Sequence, residues 1–177
     1  MAAATGLTID DFERLPEVLA RNHELDDGEL VDVPGNTLQH KLFRGLLESL
    51  LRSHVEQHQL GIVTSEQEYD FGGNAHAPDV SFIGEPKRAL LNMKLRVQRF
   101  VPDLAIVSAD DAFEKLAKKA QRYRQCGTEE VWIFSVETRL AFLYSEHRRV
   151  ILDENDDFRP EPIPGFAIRI GDWLDRC

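Results

Sequence analysis

The chain has 177 residues, with 31 acidic against 21 basic side chains and a formal net charge of −10. Its apolar content of 42% and charged content of 29% are those of a globular protein, which excludes disordered and fibrous classes, and the length suffices for one buried core. The apolar runs fall far short of the ~20 residues of a bilayer span, and the first residues show no basic-then-apolar signal pattern, so a cytoplasmic protein without a membrane segment is expected.

Residues 1–20 read as a tail followed by a helix over Thr8 to Ala20 with Thr8 as its cap. Residues 21–177 are expected to form a single domain. It opens with a hairpin in which His23 to Val33 alternates around Asp27-Gly28, a pair suited to a tight turn, closed by Pro34-Gly35-Asn36. From Thr37 to Gln59, Leu38, Leu42, Leu46 and Leu50, joined by Phe43, Leu47 and Leu51, recur at helical spacing and predict a buried stripe. Ile62 to Phe71 reads as a strand, Gly72-Gly73-Asn74 as a turn and Asp79 to Ile83 as a second strand entered through Pro78. Gly84 to Gln98 reads as a basic surface connection.

Phe100 to Ser108 is apolar enough for a central strand, and Ser108-Ala-Asp-Asp111 has the form of a capping box before a helix whose inner face holds Phe113, Leu116, Ala120 and Tyr123. Gly127 stops that helix beside Cys126, and Val131 to Val136 completes a strand, helix, strand unit of parallel type. Strands at Leu140 to Tyr144, Arg149 to Leu152 and Phe166 to Ile170 follow. Cys126 and Cys177 are the two cysteines, too few for a disulfide framework or a cysteine-rich zinc site.

Two prolyl-aspartates head strands, Pro78-Asp79 and Pro102-Asp103. A carboxylate placed there either serves turn geometry or offers oxygen to a hard cation such as magnesium. His54 and His58, four apart on the long helix, supply only two of the ligands that zinc requires. Glu24, Glu29, Glu66 and Glu68 are further acids among which the sequence does not choose. Lys87, Arg88, Lys94, Arg96 and Arg99 form one basic cluster, and Lys115, Lys118, Lys119, Arg122 and Arg124 another. Either is able to offset a net negative charge locally for a nucleic-acid partner. Glycine-rich phosphate loops, nucleophile elbows and dinucleotide fingerprints are lacking.

The segment around Asp27-Gly28, the helix bearing His40, Pro78-Asp79-Val80, Pro102-Asp103-Leu104, Lys119 and Tyr123 four apart, Gly127, Val131-Trp132-Ile133 and Pro164-Gly165-Phe166 together resemble the Uma-two family of restriction endonucleases. That family is a branch of the PD-(D/E)XK nucleases. The resemblance runs from about His23 to Trp173 and implies an α/β (α+β, mixed-sheet) fold: a restriction-endonuclease-like core with flanking helices and an added antiparallel hairpin. It implies magnesium- or manganese-dependent cleavage of DNA, with Asp79 on the metal, Lys119 supporting the attacking water and the phosphate, His40 reaching phosphate or water, and a possible homodimer. The family's strand acid falls on Val107, which cannot bind a metal. Asp103 shares the strand face of Val107 but lies roughly 13 Å upstream. Asp110, where the strand turns into the helix, is therefore the candidate second metal residue, with Asp111 beside it, although both also suit a helix cap. The alternative to a nuclease is a non-cleaving relative that binds nucleic acid or a protein partner.

Overall fold

The computed structural model describes residues 6–33, 36–109 and 112–177. The chain begins with α1 (Ile9–Glu13) and α2 (Glu17–Ala20) rather than one helix. Thr8 caps α1 in a full capping box with Asp11, but Pro16 has no amide to continue the ladder and starts a new turn instead. The hairpin follows as expected, β1 (His23–Asp26) and β2 (Glu29–Asp32), with Asp27 and Gly28 both at positive φ, 48° and 83°. The expected closure at Pro34-Gly35 lies outside the described residues.

The long helix α3 (Leu38–Gln57) starts at the Thr37 cap, whose hydroxyl accepts the His40 amide. Its inner face is His40, Phe43, Leu47, Leu51 and Val55, while Leu38 and Leu42 stand 74% and 47% exposed. The expected stripe was thus one position off at its start: a leucine every four residues drifts around a helix of 3.6 residues per turn, and only the later leucines meet the sheet. The Ile62 to Phe71 strand is likewise two, β3 (Gly61–Ser65) and β4 (Glu68–Asp70), because Glu66 turns at φ 52°. Then come β5 (Ala75–His76), β6 (Val80–Gly84), a 3₁₀ turn at Glu85–Leu90 and β7 (Val97–Gln98). The last is buried and pairs with β4, so the supposed surface connection ends as a buried edge strand of a small sheet.

The parallel unit is β8 (Leu104–Ser108), α4 (Phe113–Gln125) and β9 (Glu130–Ser135). Gly127, at φ 109°, ends α4 where a side chain would be strained. The chain finishes with β10 (Leu140–Ser145), β11 (Arg149–Leu152), β12 (Asp157–Phe158), β13 (Ile168–Arg169) and α5 (Ile170–Leu174). A strand expected through Ile170 therefore gives way to a helix, which carries Trp173 into the core.

These elements make a mixed six-stranded sheet ordered β11-β10-β9-β8-β6-β3, a five-stranded sheet ordered β2-β1-β5-β4-β7, and the β12-β13 pair. Strand alternation splits the core of the large sheet. Leu104, Ile106, Trp132 and Phe134 pack with Phe43, Leu47 and Trp173 of α3 and α5. Ala105, Val131 and Ile133 pack with Leu116, Ala120 and Tyr123 of α4, together with Tyr69 and Phe71. Among the described residues no helix is long and apolar enough to cross a membrane.

Candidate active site

Asp79 directly precedes β6. The pairing Val80↔Ile106, carried one residue further, sets Asp79 across from Val107 of β8. One Asp79 oxygen, Oδ2, accepts the Ser108 amide at 2.6 Å, and Oδ1 lies 2.8 Å from His40 Nε2. Ser108 Oγ is 2.7 Å from His40 Nδ1. His40, only 6% exposed, is therefore wedged between Asp79 and Ser108 and supports the carboxylate from behind. Ser108, expected in a capping box, is instead the last residue of β8, and α4 takes Ala112 as its cap. Asp110 and Asp111 lie outside the described residues.

Asp103 serves structure. Its Oδ2 accepts the Gly84 amide at 2.6 Å and its Oδ1 meets Lys87 Nζ at 2.6 Å, at the other end of β8. The two prolyl-aspartates, alike in sequence, thus have different surroundings.

Lys119 reaches Glu24 of β1, with Nζ 2.5 Å from Oε2. The other Glu24 oxygen accepts the Ala77 amide at 3.2 Å, two residues before Asp79. One helical turn beyond Lys119, Tyr123 is fully buried and stacks on Phe71 with centroids 3.8 Å apart. Its hydroxyl has no hydrogen-bond partner among the described residues. Burial raises its pKa well above the phenol range, and the charges of Glu24 and then Asp79 push the same way. Glu24 is thereby singled out from the acids that the sequence left unranked. Glu66 instead pairs with Arg44, Glu68 with Arg96, and Glu29 lies exposed on β2.

Magnesium takes oxygen ligands, retains several waters and is commonly held through one or two carboxylates together with substrate phosphate. Among the described residues no three of His, Cys, Asp and Glu come together as a metal-holding group, so a zinc-type cage is not formed, at His54 and His58 included. Two carboxylates, Asp79 and Glu24, the latter tied to the Ala77 amide two residues before the former, with a buried Tyr123 hydroxyl that has no partner among the described residues, do fit a hard, largely hydrated cation. They do not reproduce the pair implied by the resemblance, because the position opposite Asp79 is valine.

Several members of both basic clusters are paired with acids. Arg122 pairs with Asp26 and Asp27, Arg96 with Glu68, Arg99 with Asp10, Lys87 with Asp103 and Lys118 with Glu114. Beside α4, an apolar groove of about 450 Å³ runs past Phe113, Phe142 and Ile151.

Behind Glu24, His76 is 2% exposed, with Nε2 3.3 Å from Asp26 Oδ1. Burial lowers its pKa to about 3; Glu24 opposes that shift, while Lys119 and Arg122 add to it. An unfolded histidine titrates near ~6.5, so between these values the unfolded chain binds a proton that the native chain refuses. Stability is whole above the unfolded value and falls as pH drops towards the folded one, by about 2 kcal/mol at pH 5. Urea unfolding at pH 7 and pH 5 is expected to show His76→Gln losing that much less than the intact protein on acidification. Equal losses would mean that His76 is protonated in the native state.

The family model described as "Uma2: Putative restriction endonuclease" matches residues 9–171. In structure the chain is similar to a "putative nuclease belonging to DUF820" from Anabaena variabilis, with TM-score 0.84 and 20% identity over 96% of this chain and 98% of that one. It is also similar to part of the DrdV–DNA complex, with TM-score 0.41 and 19% identity over 64% of this chain and 10% of that one. No curated protein matches.

Proposed function

The chain belongs to the Uma2 family and has a restriction-endonuclease-like fold, and on that premise we propose that it is a divalent-metal-dependent DNA endonuclease centred on Asp79. The observation that carries this reading is the approach of the Glu24–Lys119 pair to Asp79: Glu24 accepts the Ala77 amide two residues before Asp79, which is itself held by the Ser108 amide and His40. A bound magnesium or manganese ion supplies Lewis-acid activation of water and neutralises charge developing on the phosphate. Asp79 would hold that ion. Lys119, once it turns from Glu24 to the substrate, places a positive charge against the phosphate oxygens, where it counts most in a site shielded from water. His40 is a positioning residue: its buried ring fixes the orientation of the Asp79 carboxylate.

A second reading, a nuclease fold that binds a partner without cutting, is favoured by two observations: Val107 opposite Asp79, and the apolar groove beside α4 where an open basic channel would serve DNA better. The test is cleavage of supercoiled and single-stranded DNA with magnesium or manganese by the intact protein and by Asp79→Ala. Cleavage by the intact protein alone supports the nuclease; no cleavage by either protein supports the second reading.

A further inference from the structure

We propose that Glu24 is the second metal-binding carboxylate of the centre, supplied by the amino-terminal hairpin in place of the strand acid that position 107 lacks. This rests on the nuclease reading and names a residue for it. Three observations carry it. The pairing of Leu25 with Ala75 fixes β1 against β5, so the hairpin is built into the small sheet beside the Ala77-Pro78-Asp79 approach to the site. Glu24 then touches both sides of the centre, accepting the Ala77 amide with one oxygen and meeting Lys119 of α4 with the other. Finally, Tyr123, one helical turn beyond Lys119, is fully buried, and its hydroxyl has no hydrogen-bond partner among the described residues.

Leaving a buried hydroxyl unsatisfied costs on the order of 1–3 kcal/mol, a cost that a polar group bound next to it would lift. Asp79 and Glu24 would hold a hydrated cation, whose water would be available to such a hydroxyl. The neighbouring acids of the hairpin do not compete for this place, since Asp26 and Asp27 are drawn to Arg122 and Asp26 also faces His76. The hairpin is thus part of the site, and the loss of a ligand from one sheet is offset from the other.

The probe is Mn²⁺, whose free concentration is read by electron paramagnetic resonance as the full-length protein is titrated, with DNA cleavage followed in parallel. Glu24→Gln keeps an oxygen for the Ala77 amide and removes the charge. It is expected to weaken Mn²⁺ binding about tenfold or more, and Val107→Glu added to it is expected to restore binding and cleavage. A merely structural Glu24 would not be rescued by a carboxylate across the site, so loss without rescue overturns the proposal. Should Glu24→Gln melt well below the intact protein, Glu24→Asp takes its place, with a shortened reach expected to weaken Mn²⁺ binding and the same rescue to follow. Undiminished Mn²⁺ affinity in Glu24→Gln, with affinity lost in Asp79→Asn, overturns the role of Glu24 and leaves the Asp79 reading standing. An intact protein that neither binds Mn²⁺ nor cuts DNA overturns both.

Discussion

Asp79→Ala is expected to lower metal-supported DNA cleavage by about 10²-fold or more, the scale on which a single preorganised electrostatic group in an active site acts. The substitution removes a carboxylate and also the acceptor of the Ser108 amide, which orders the end of β8 next to the site. The informative control is Asp103→Asn, at the second prolyl-aspartate. Its carboxylate holds Gly84 and Lys87 away from the site, so that change is expected to lower the melting temperature while Mn²⁺ affinity stays as in the intact protein. Cleavage that survives in Asp79→Ala would place the chemistry elsewhere or trace it to a contaminant. Parallel loss in both variants would show that activity follows stability and not the site.

Trp173→Ala is expected to be the most destabilising of the simple core substitutions, by about 3–5 kcal/mol. Trp173 is fully buried on the short α5 and joins three elements, its ring centroid 4.9 Å from Phe43 of α3, 4.6 Å from Phe134 of β9 and 6.1 Å from Phe158 of β12. Removing it opens a cavity where the carboxyl-terminal helix seals the sheet, and the aromatic neighbours cannot all collapse into it. For a chain of this size the change corresponds to a fall of roughly 6–20 °C in melting temperature. Trp173→Phe is expected to cost far less, because it keeps most of the ring and removes an indole N–H that has no partner among the described residues. Circular-dichroism melts of the three proteins decide the matter. An alanine variant melting within two or three degrees of the intact chain would show that α5 frays without harm to the core.

Both expectations start from residues that the sequence displayed without ranking. Asp79 and Asp103 sit in near-identical contexts, proline before and a hydrophobic strand after. Only the antiparallel pairing of β6 with β8 places one opposite Val107 at the site and the other at the far end of the strand. Glu24 was one of several possible acids, and a partner 95 residues away on α4 distinguishes it. Ser108 read as a helix cap because local spacing favours that role, yet its hydroxyl is directed to His40, 68 residues distant. His76 gave no local sign of being a buried polar group, whereas the helical spacing placed Tyr123 on an inner face without showing that its hydroxyl would lack a partner among the described residues. The candidate second metal residue, Asp110, lies outside the described residues, so the hairpin carboxylate enters on evidence that only the fold supplies.

What the sequence determined by itself is what local and periodic rules control. The Asp27-Gly28 hairpin, the long helix from Thr37 and the strand, helix, strand unit ending at Gly127 follow from turn chemistry, capping and apolar spacing, while the restriction-endonuclease-like class follows from the family resemblance of the motifs. The tertiary structure decided which face of α3 is buried, where Pro16 and Glu66 break continuous elements, and which carboxylates meet. The physical reason is the same throughout. Propensity and periodicity act over one or two turns of chain, whereas the pairing of an acid with a base, or of a buried hydroxyl with what satisfies it, is settled by sheet register between segments remote in sequence.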